Sequence, residues 1–446
     1  MPFQQIPGLE YGLISFDKDG KERTDDNDGI HGVFSQTLLA KVKAEKPSDV
    51  FLFSHGWKGD MPSAIDQYNR WIGAMWKLEA DRKRMGDSFN PMFIGLHWPS
   101  QPWGDESMGG AVSFASDAEP APVVDADALF AEAVEQFGDS AEVVGALTIL
   151  FKQWKENPSA IVVPDESLAA YQTIADAIGF NAGGGPDSPP DEEGAALDPQ
   201  AAATANRIVE AGAQFGLGSA LSGIGAGIKK GILGGLRQLS FWTMKKRART
   251  IGEKGMHDFV KAILAAGDSH VHLMGHSFGC VVVSSILGGP DAKGSFPRKI
   301  ASVMLAQGAV SLWCWGAKVK TLDKPGYFHN IVKSSCVEGP VLTTRSINDK
   351  AVGLAYPAAV ALVGQASFDP DPPIEQLPLL GGTGAFGLQG TDVSESLEML
   401  DVSGSYPFKK NRVYNLQGNK FIPSHNGIDG PQVAHAIWEA ALVGRS

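Results

Sequence analysis

The chain alternates short apolar runs with amphipathic stretches. Val50-Phe51-Leu52-Phe53 follows Asp49 and ends abruptly at Ser54-His55-Gly56-Trp57-Lys58-Gly59, the pattern of a buried strand feeding a tight loop. Asp60 follows as a helix cap, with Pro62 in the first turn. Ile65, Tyr68, Trp71, Ile72, Met75 and Trp76 then recur at helical spacing and predict one apolar helix face. Met92 to Trp98 predicts the next strand. Upstream, Gly8 to Arg23 predicts two short strands joined in a hairpin at Asp17-Lys18-Asp19-Gly20, since glycine accepts positive φ. Downstream, a helix is predicted from about Phe241 to Ala266, then a strand Val271-His272-Leu273-Met274, a turn at Ser277, and an apolar helix from Cys280 to Leu287. Further strands are predicted at Ile300 to Ala306, Val341 to Thr344 and Arg412 to Leu416, with a closing helix from Gln432 to Leu442. This rhythm predicts an α/β fold with a mostly parallel central sheet and flanking helices.

From about Gln101 to Gly235 the alternation lapses into a region rich in Ala, Gly and acid, including the loop-like stretch from Gly183 to Glu193. The pattern predicts a large, mainly helical inserted cap or lid. Three parts result: 1–100 and 236–446 as halves of one α/β core, and 101–235 as the insertion. A smaller Gly/Pro-rich excursion is expected at 364–390. The small, apolar residues of Phe215 to Leu236 suit close helix packing within the cap; peripheral contact of 215–236 with a lipid surface is the alternative. Ala211 to Ile228 and Ala351 to Phe368 approach membrane-span length, but Gly and Ser dilute the first and Pro357 interrupts the second.

Charge narrows the partners. Lys and Arg number 38 against 50 Asp and Glu, a net −12, which argues against nucleic acid because phosphate contacts need clustered bases. The one basic cluster, Lys245-Lys246-Arg247 with Arg249, reads as a solvated helix face. Three cysteines, Cys280, Cys314 and Cys336, fit neither a disulfide framework nor a zinc site and suit a reducing compartment. The acidic run Asp25 to Gly29 lacks carboxylates at the first and last positions of a calcium loop, where Thr24 and Ser35 stand. The N-terminus lacks the basic segment and apolar run of a secretory signal, so the expected location is cytoplasmic, with leaderless export left open.

The candidate chemistry centres on Gly275-His276-Ser277-Phe278-Gly279. In a chain with 53 glycines the pentapeptide alone says little. Between an apolar strand and an apolar helix it predicts a sharp turn that exposes the Ser277 hydroxyl, with glycines where side chains would clash. Serine needs a base to take its proton and an acid to orient that base. Of ten histidines, His425 lies in a loop between the last strand and last helix; His276, His55, His270 and His272 crowd the nucleophile and oxyanion segments, and His435 is the alternative. Asp349 follows the strand ending near Thr344, with Asp323 or Asp401 as substitutes. Oxyanion donors are expected from the main-chain N–H groups of Phe278 and of Trp57 in the His55-Gly56-Trp57 loop.

With the His55-Gly56-Trp57 loop, the Gly275 to Gly279 elbow, Asp349 and His425 in order, the chain resembles the α/β-hydrolases over roughly Gly8 to Arg445, apart from the two insertions. The order Ser, Asp, His is theirs. The resemblance implies a Ser277–His425–Asp349 triad, no metal or organic cofactor, and two-step acyl transfer to water. It points to an esterase or lipase acting on a small-molecule or lipid ester. A phospholipase acting at membranes in the manner of a toxin or effector is the sharper variant, and a non-catalytic binding module of the same fold is the reading from another class. Amidases, thioesterases and acyltransferases share the machinery. The insertion ahead of the nucleophile strand departs from the common cap position, so the substrate does not carry over.

Overall fold

Five-residue to seven-residue apolar runs form the centre of the structure because both of their faces are covered, a demand that parallel strands make of their sequence. In the computed structural model the described residues are 2–24, 32–56, 61–100, 126–156, 164–178, 228–320, 324–349, 352, 377 and 381–446. They divide into two compact units, one drawn from Met1–Ser100 and Arg247–Ser446 and the other from within 101–246.

The first unit holds a nine-stranded sheet with order β1-β2-β4-β3-β5-β6-β7-β9-β8. Its strands are β1 Phe3–Ile6, β2 Leu9–Ser15, β3 Asp49–Ser54, β4 Pro91–His97, β5 His270–His276, β6 Ser302–Ala306, β7 Val341–Arg345, β8 Ser394–Glu398 and β9 Val413–Gln417. Only β1 runs antiparallel to its neighbour; all other pairings are parallel. Helices α1 Phe34–Glu45, α2 Met61–Lys77 and α3 Glu79–Arg84 belong to this unit. In α2 the apolar stripe buries Tyr68, Trp71, Ile72 and Met75 in the sheet core with Phe51, Phe53 and Phe93.

The second unit contains α4 Ala126–Phe137, α5 Ala141–Glu156 and α6 Asp165–Ala177. Val143, Ala146, Leu147, Leu150, Phe151 and Trp154 recur at helical spacing on α5 and share a separate core with Leu129, Tyr171, Ile174, Leu236 and Leu239. The unit boundary, at Lys246 and Arg247, falls inside α7 Ile228–Ile251. One π turn, Gly252–Met256, separates α7 from α8 His257–Ala266. Next come α9 Gly279–Gly288 and α10 Pro431–Arg445. None of the helices among the described residues is long and apolar enough to cross a membrane.

Several expectations shift. The paired hairpin is β1 with β2, turning at Pro7-Gly8 where Gly8 has φ 79°. Asp17 to Gly20 does turn, with Asp17 Oδ1 accepting from the Asp19 and Lys21 amides, but it brings together only the isolated bridge Phe16–Glu22. The helix expected from Phe241 starts earlier, at Ile228, and runs through Gly231, Gly234 and Gly235. Of the 364–390 excursion, residue 377 and residues 381–390 are described; there Thr383 and Gly384 are buried, Thr383–Phe386 forms a helical turn, and Ser311 bridges to Gly382. The Asp25 to Gly29 run, Asp60, Gly183 to Glu193 and most of Phe215 to Leu236 lie outside the described residues.

At the start of β3 and β5 sits a fully buried polar pair. The His272 Nε2–H donates to Asp49 Oδ1 at 3.1 Å, and Ser302 Oγ–H donates to His272 Nδ1 at 2.7 Å. Burial pulls His272 below its ordinary value, with Asp49 opposing, so the ring is neutral. Burial pushes the Asp49 carboxyl up, but hydrogen bonds from His272 and Ser48 and the charge of Arg445 outweigh it and hold it below the usual range. A buried neutral histidine binds its proton only after unfolding, so its stability contribution is whole above the unfolded value of 6.5 and is lost as pH falls below it. Chemical denaturation between pH 8 and pH 5 should therefore show stability declining below about pH 6.5, with His272 contributing up to about 1.4 kcal/mol per pH unit. His272→Gln should lower stability at neutral pH and flatten this slope; an unchanged slope would contradict the assignment.

Candidate active site

Strand order places a topological switch between β3 and β5. After β3 the chain crosses to β4 on one side, and from β5 it proceeds to β6 on the other. Ligands of open α/β sheets bind outside the carboxyl ends of strands at such a point. The loops after β3, β5, β6, β7 and β9 carry His55-Gly56, Ser277, Gln307, Asp349 and His425 respectively.

Ser277 joins β5 to α9 with φ 56°, a left-handed conformation that costs a non-glycine residue about 1–2 kcal/mol. Its N–H donates to Ala306 O at 3.1 Å, and its carbonyl accepts from Ala309 N–H at 3.0 Å. Three glycines make the approach possible. A Cβ at Gly275 would lie 2.4 Å from Gly279 O, one at Gly279 would lie 2.2 Å from Ser54 O, and one at Gly56 would lie 2.6 Å from Ser277 Cβ.

The structure brings Ser277, His425 and Asp349 together. His425 Nδ1 lies 2.9 Å from Asp349 Oδ2 and 3.0 Å from Oδ1, so this nitrogen carries the proton. Nε2 is then the acceptor, and Ser277 Oγ–H donates to it at 2.8 Å. Asp349 is buried, and its carboxylate also accepts from Gln307 Nε2 at 3.0 Å and from the Val352 amide at 3.0 Å. Gln307, itself at φ 46°, is locked by Thr344: its Oε1 accepts from Thr344 Oγ1 at 2.9 Å. Gly384 packs so closely that a Cβ there would lie 2.7 Å from Asp349 Oδ2.

Phe278 follows Ser277 at the N-cap of α9, and the N-terminus of a helix is an environment that favours negative charge. Trp57 lies outside the described residues, while its neighbours His55 and Gly56 are buried and fixed. His55 donates from Nδ1 to Gly56 O at 2.8 Å, its Nε2 accepts from the Trp98 amide at 3.3 Å, and its ring stacks on the Trp98 indole. Burial, aided by His97, pulls His55 down to about 3 and keeps it neutral.

The alternatives for base and acid are engaged elsewhere. His435 Nδ1 lies 2.8 Å from Asp81 Oδ2, and its Nε2–H donates to Gly404 O at 2.8 Å. Asp81, His435 and Glu439 could crowd a metal ion, but the Arg84 guanidinium contacts both carboxylates and takes the place a cation would fill. Asp401 accepts from Gln432 and the Val402 amide at the surface, and Asp323 lies outside the described residues. All three cysteines are free thiols; burial pushes Cys280 well above its ordinary value.

Two positioning residues had no signal in the sequence. His276 Nε2–H donates to the His425 carbonyl at 3.0 Å. Its Nδ1 is therefore the acceptor, taking a bond from Gln67 Nε2 at 2.7 Å. The His425 carbonyl thus fixes the His276 tautomer, and Gln67, on α2, completes the line through which the elbow holds the His425 loop. Comparison with protein-family models, curated proteins and solved structures gave no match for this chain. Labelling of Ser277 by a fluorophosphonate should slow about tenfold in His276→Phe, the loss of roughly one net hydrogen bond. His276→Gln, whose amide can still donate, should recover part of the rate; equal rates in both variants and wild type would remove the positioning role.

Proposed function

We propose that the protein is a serine hydrolase of carboxylic esters, built on an α/β-hydrolase fold. The observation that carries the reading is the continuous hydrogen-bonded line from Asp349 through His425 to Ser277 Oγ, with Ser277 held at positive φ between strand and helix. The mostly parallel sheet and the switch between β3 and β5 also support it.

In this mechanism Ser277 Oγ attacks the ester carbonyl carbon while His425 Nε2 takes the hydroxyl proton. Asp349 accepts from Nδ1–H and stabilises the imidazolium that forms. The negative charge on the carbonyl oxygen is met by the Phe278 N–H, with Trp57 as the second donor. The C–O bond to the alcohol then breaks, and the alcohol leaves with the proton from Nε2. Water, deprotonated by His425, attacks the acyl-enzyme and releases the acid and Ser277.

The neutral His55 contributes rigidity here rather than acid–base chemistry. With its charge suppressed by burial, it ties Gly56 and Trp98 into a frame that holds the oxyanion loop against Ser277.

A p-nitrophenyl ester series from acetate to palmitate should be hydrolysed by the wild type. In Ser277→Ala both turnover and fluorophosphonate labelling should vanish, a fall of at least about 10³-fold. Asp349→Asn should lower kcat by about 10³-fold to 10⁴-fold, because the amide favours the wrong tautomer of His425. Undiminished ester turnover in Ser277→Ala would refute the assignment and leave a binding module as the better reading.

A further inference from the structure

The pairing of β3 with β4 ends at Ser54 opposite Leu96, whereas β4 stays paired with β2 as far as His97. Carried one step further, the parallel ladder would join the His55 amide to the Leu96 carbonyl and the Trp98 amide to the His55 carbonyl. Side chains stand in for both bonds. The His55 amide donates to the Tyr68 hydroxyl at 2.7 Å, and that hydroxyl donates to Leu96 O. The Trp98 amide donates to His55 Nε2 at 3.3 Å, and the Trp98 indole N–H donates to His55 O at 3.2 Å. We infer that the Tyr68 and Ser100 hydroxyls are positioning groups for ester cleavage: Tyr68 holds β3 and β4 apart where the oxyanion loop begins, and Ser100 orients the Gly56 peptide of that loop. The inference rests on the ester-hydrolase reading and adds to it the groups that set the second half of the oxyanion site.

Tyr68 lies on the apolar stripe of α2 and is fully buried, so its ring alone would serve as a core contact. Its hydroxyl, removed from water, requires partners. It takes one from each strand, accepting from β3 and donating to β4, which only a neutral phenol can do. Burial pushes Tyr68 well above its ordinary value and keeps the proton in place. A glycine makes room for the ring: a Cβ at Gly95 would lie 2.8 Å from two of its carbons. The main chains of β3 and β4 could satisfy each other directly, so the inserted phenol is not needed to complete the sheet. What it adds is separation, at the carboxyl end of β3 where Gly56 closes on Ser277.

The second hydroxyl acts at the next residue. Gly56 O accepts from His55 Nδ1–H at 2.8 Å and from the buried Ser100 Oγ–H at 2.9 Å. A peptide group is planar and trans, so the direction of a carbonyl fixes that of the N–H after it, which points the opposite way. Two donors on Gly56 O therefore orient the N–H that this loop offers to the oxyanion. A donor fixed before reaction needs no reorganisation as charge develops on the carbonyl oxygen. His55 has no freedom left to disturb this arrangement, because its amide, its carbonyl and both ring nitrogens are engaged.

The test is the kinetics of Tyr68→Phe, which keeps the ring, and of Ser100→Ala, with folding checked by thermal melting and active sites counted by fluorophosphonate titration. On p-nitrophenyl butyrate, kcat per titrated site should fall about tenfold to 100-fold in Tyr68→Phe and about threefold to tenfold in Ser100→Ala. KM should stay within about twofold of wild type, because the weakened interaction belongs to the transition state. Inhibition by a trifluoromethyl ketone, whose adduct with Ser277 carries an oxyanion, should weaken in proportion to the fall in kcat/KM. The acid-side midpoint of the pH profile should not move, since the His425–Asp349 pair is untouched. A purely structural role would lower the melting temperature and leave kcat per titrated site unchanged. That result in both variants, or a rate loss with inhibitor binding intact, would overturn the proposal while leaving the hydrolase reading standing. Should Tyr68→Phe fail to fold, undiminished kcat in Ser100→Ala is enough to overturn it. Wild-type protein that neither hydrolyses the ester nor labels at Ser277 would instead remove the parent reading, and the positioning roles with it.

Discussion

Ser277 occupies a backbone conformation that a serine adopts only under compulsion, and the compulsion comes from the meeting of β3, β5 and β6 at their carboxyl ends. Its amide and carbonyl are tied to Ala306 and Ala309, while Gly56 and Gly279 let the neighbouring loops close to distances no side chain would tolerate. A strained residue persists only where surrounding structure over-determines it. The hydroxyl is thereby presented at a fixed point, and every other group of the site is placed relative to it.

That placement is made by buried polar groups whose hydrogen-bonding capacity is assigned in one direction. Asp349 accepts from His425, Gln307 and the Val352 amide, so the imidazole tautomer at His425 follows from the carboxylate. His276 and His55 occupy the same neighbourhood with different duties. Each donates to a main-chain carbonyl and accepts from a fixed N–H, which makes them struts. In a low-dielectric interior such fully satisfied chains rigidify their surroundings, and a single missing partner is costly.

Much of the central fold was written in local patterns. Apolar runs at β3, β5, β6 and β7 predicted strands because parallel strands must be apolar on both faces, and the stripe on α2 predicted a helix. β8 was not legible: Ser-Glu-Ser-Leu-Glu is a polar edge strand of low strand preference, held by pairing with β9 alone. The first hairpin was misplaced because Asp17 to Gly20 is the stronger turn sequence, whereas the register that buries Tyr11, Leu13 and Ile14 is chosen by pairing of Leu9–Ser15 with β4.

By itself the sequence determined the elbow, since Gly275, Ser277 and Gly279 act within five residues on one turn, and it determined the chain order Ser277, Asp349, His425. It could not determine that Gln67 fixes His276, that His276 holds a carbonyl 149 residues further along, or that Gln307 and Gly384 enclose Asp349. Those roles depend on which strand ends lie side by side, and adjacency in a sheet is settled by the packing of the whole chain. Local preference carries no information about a partner that only the closed sheet brings within 3.0 Å.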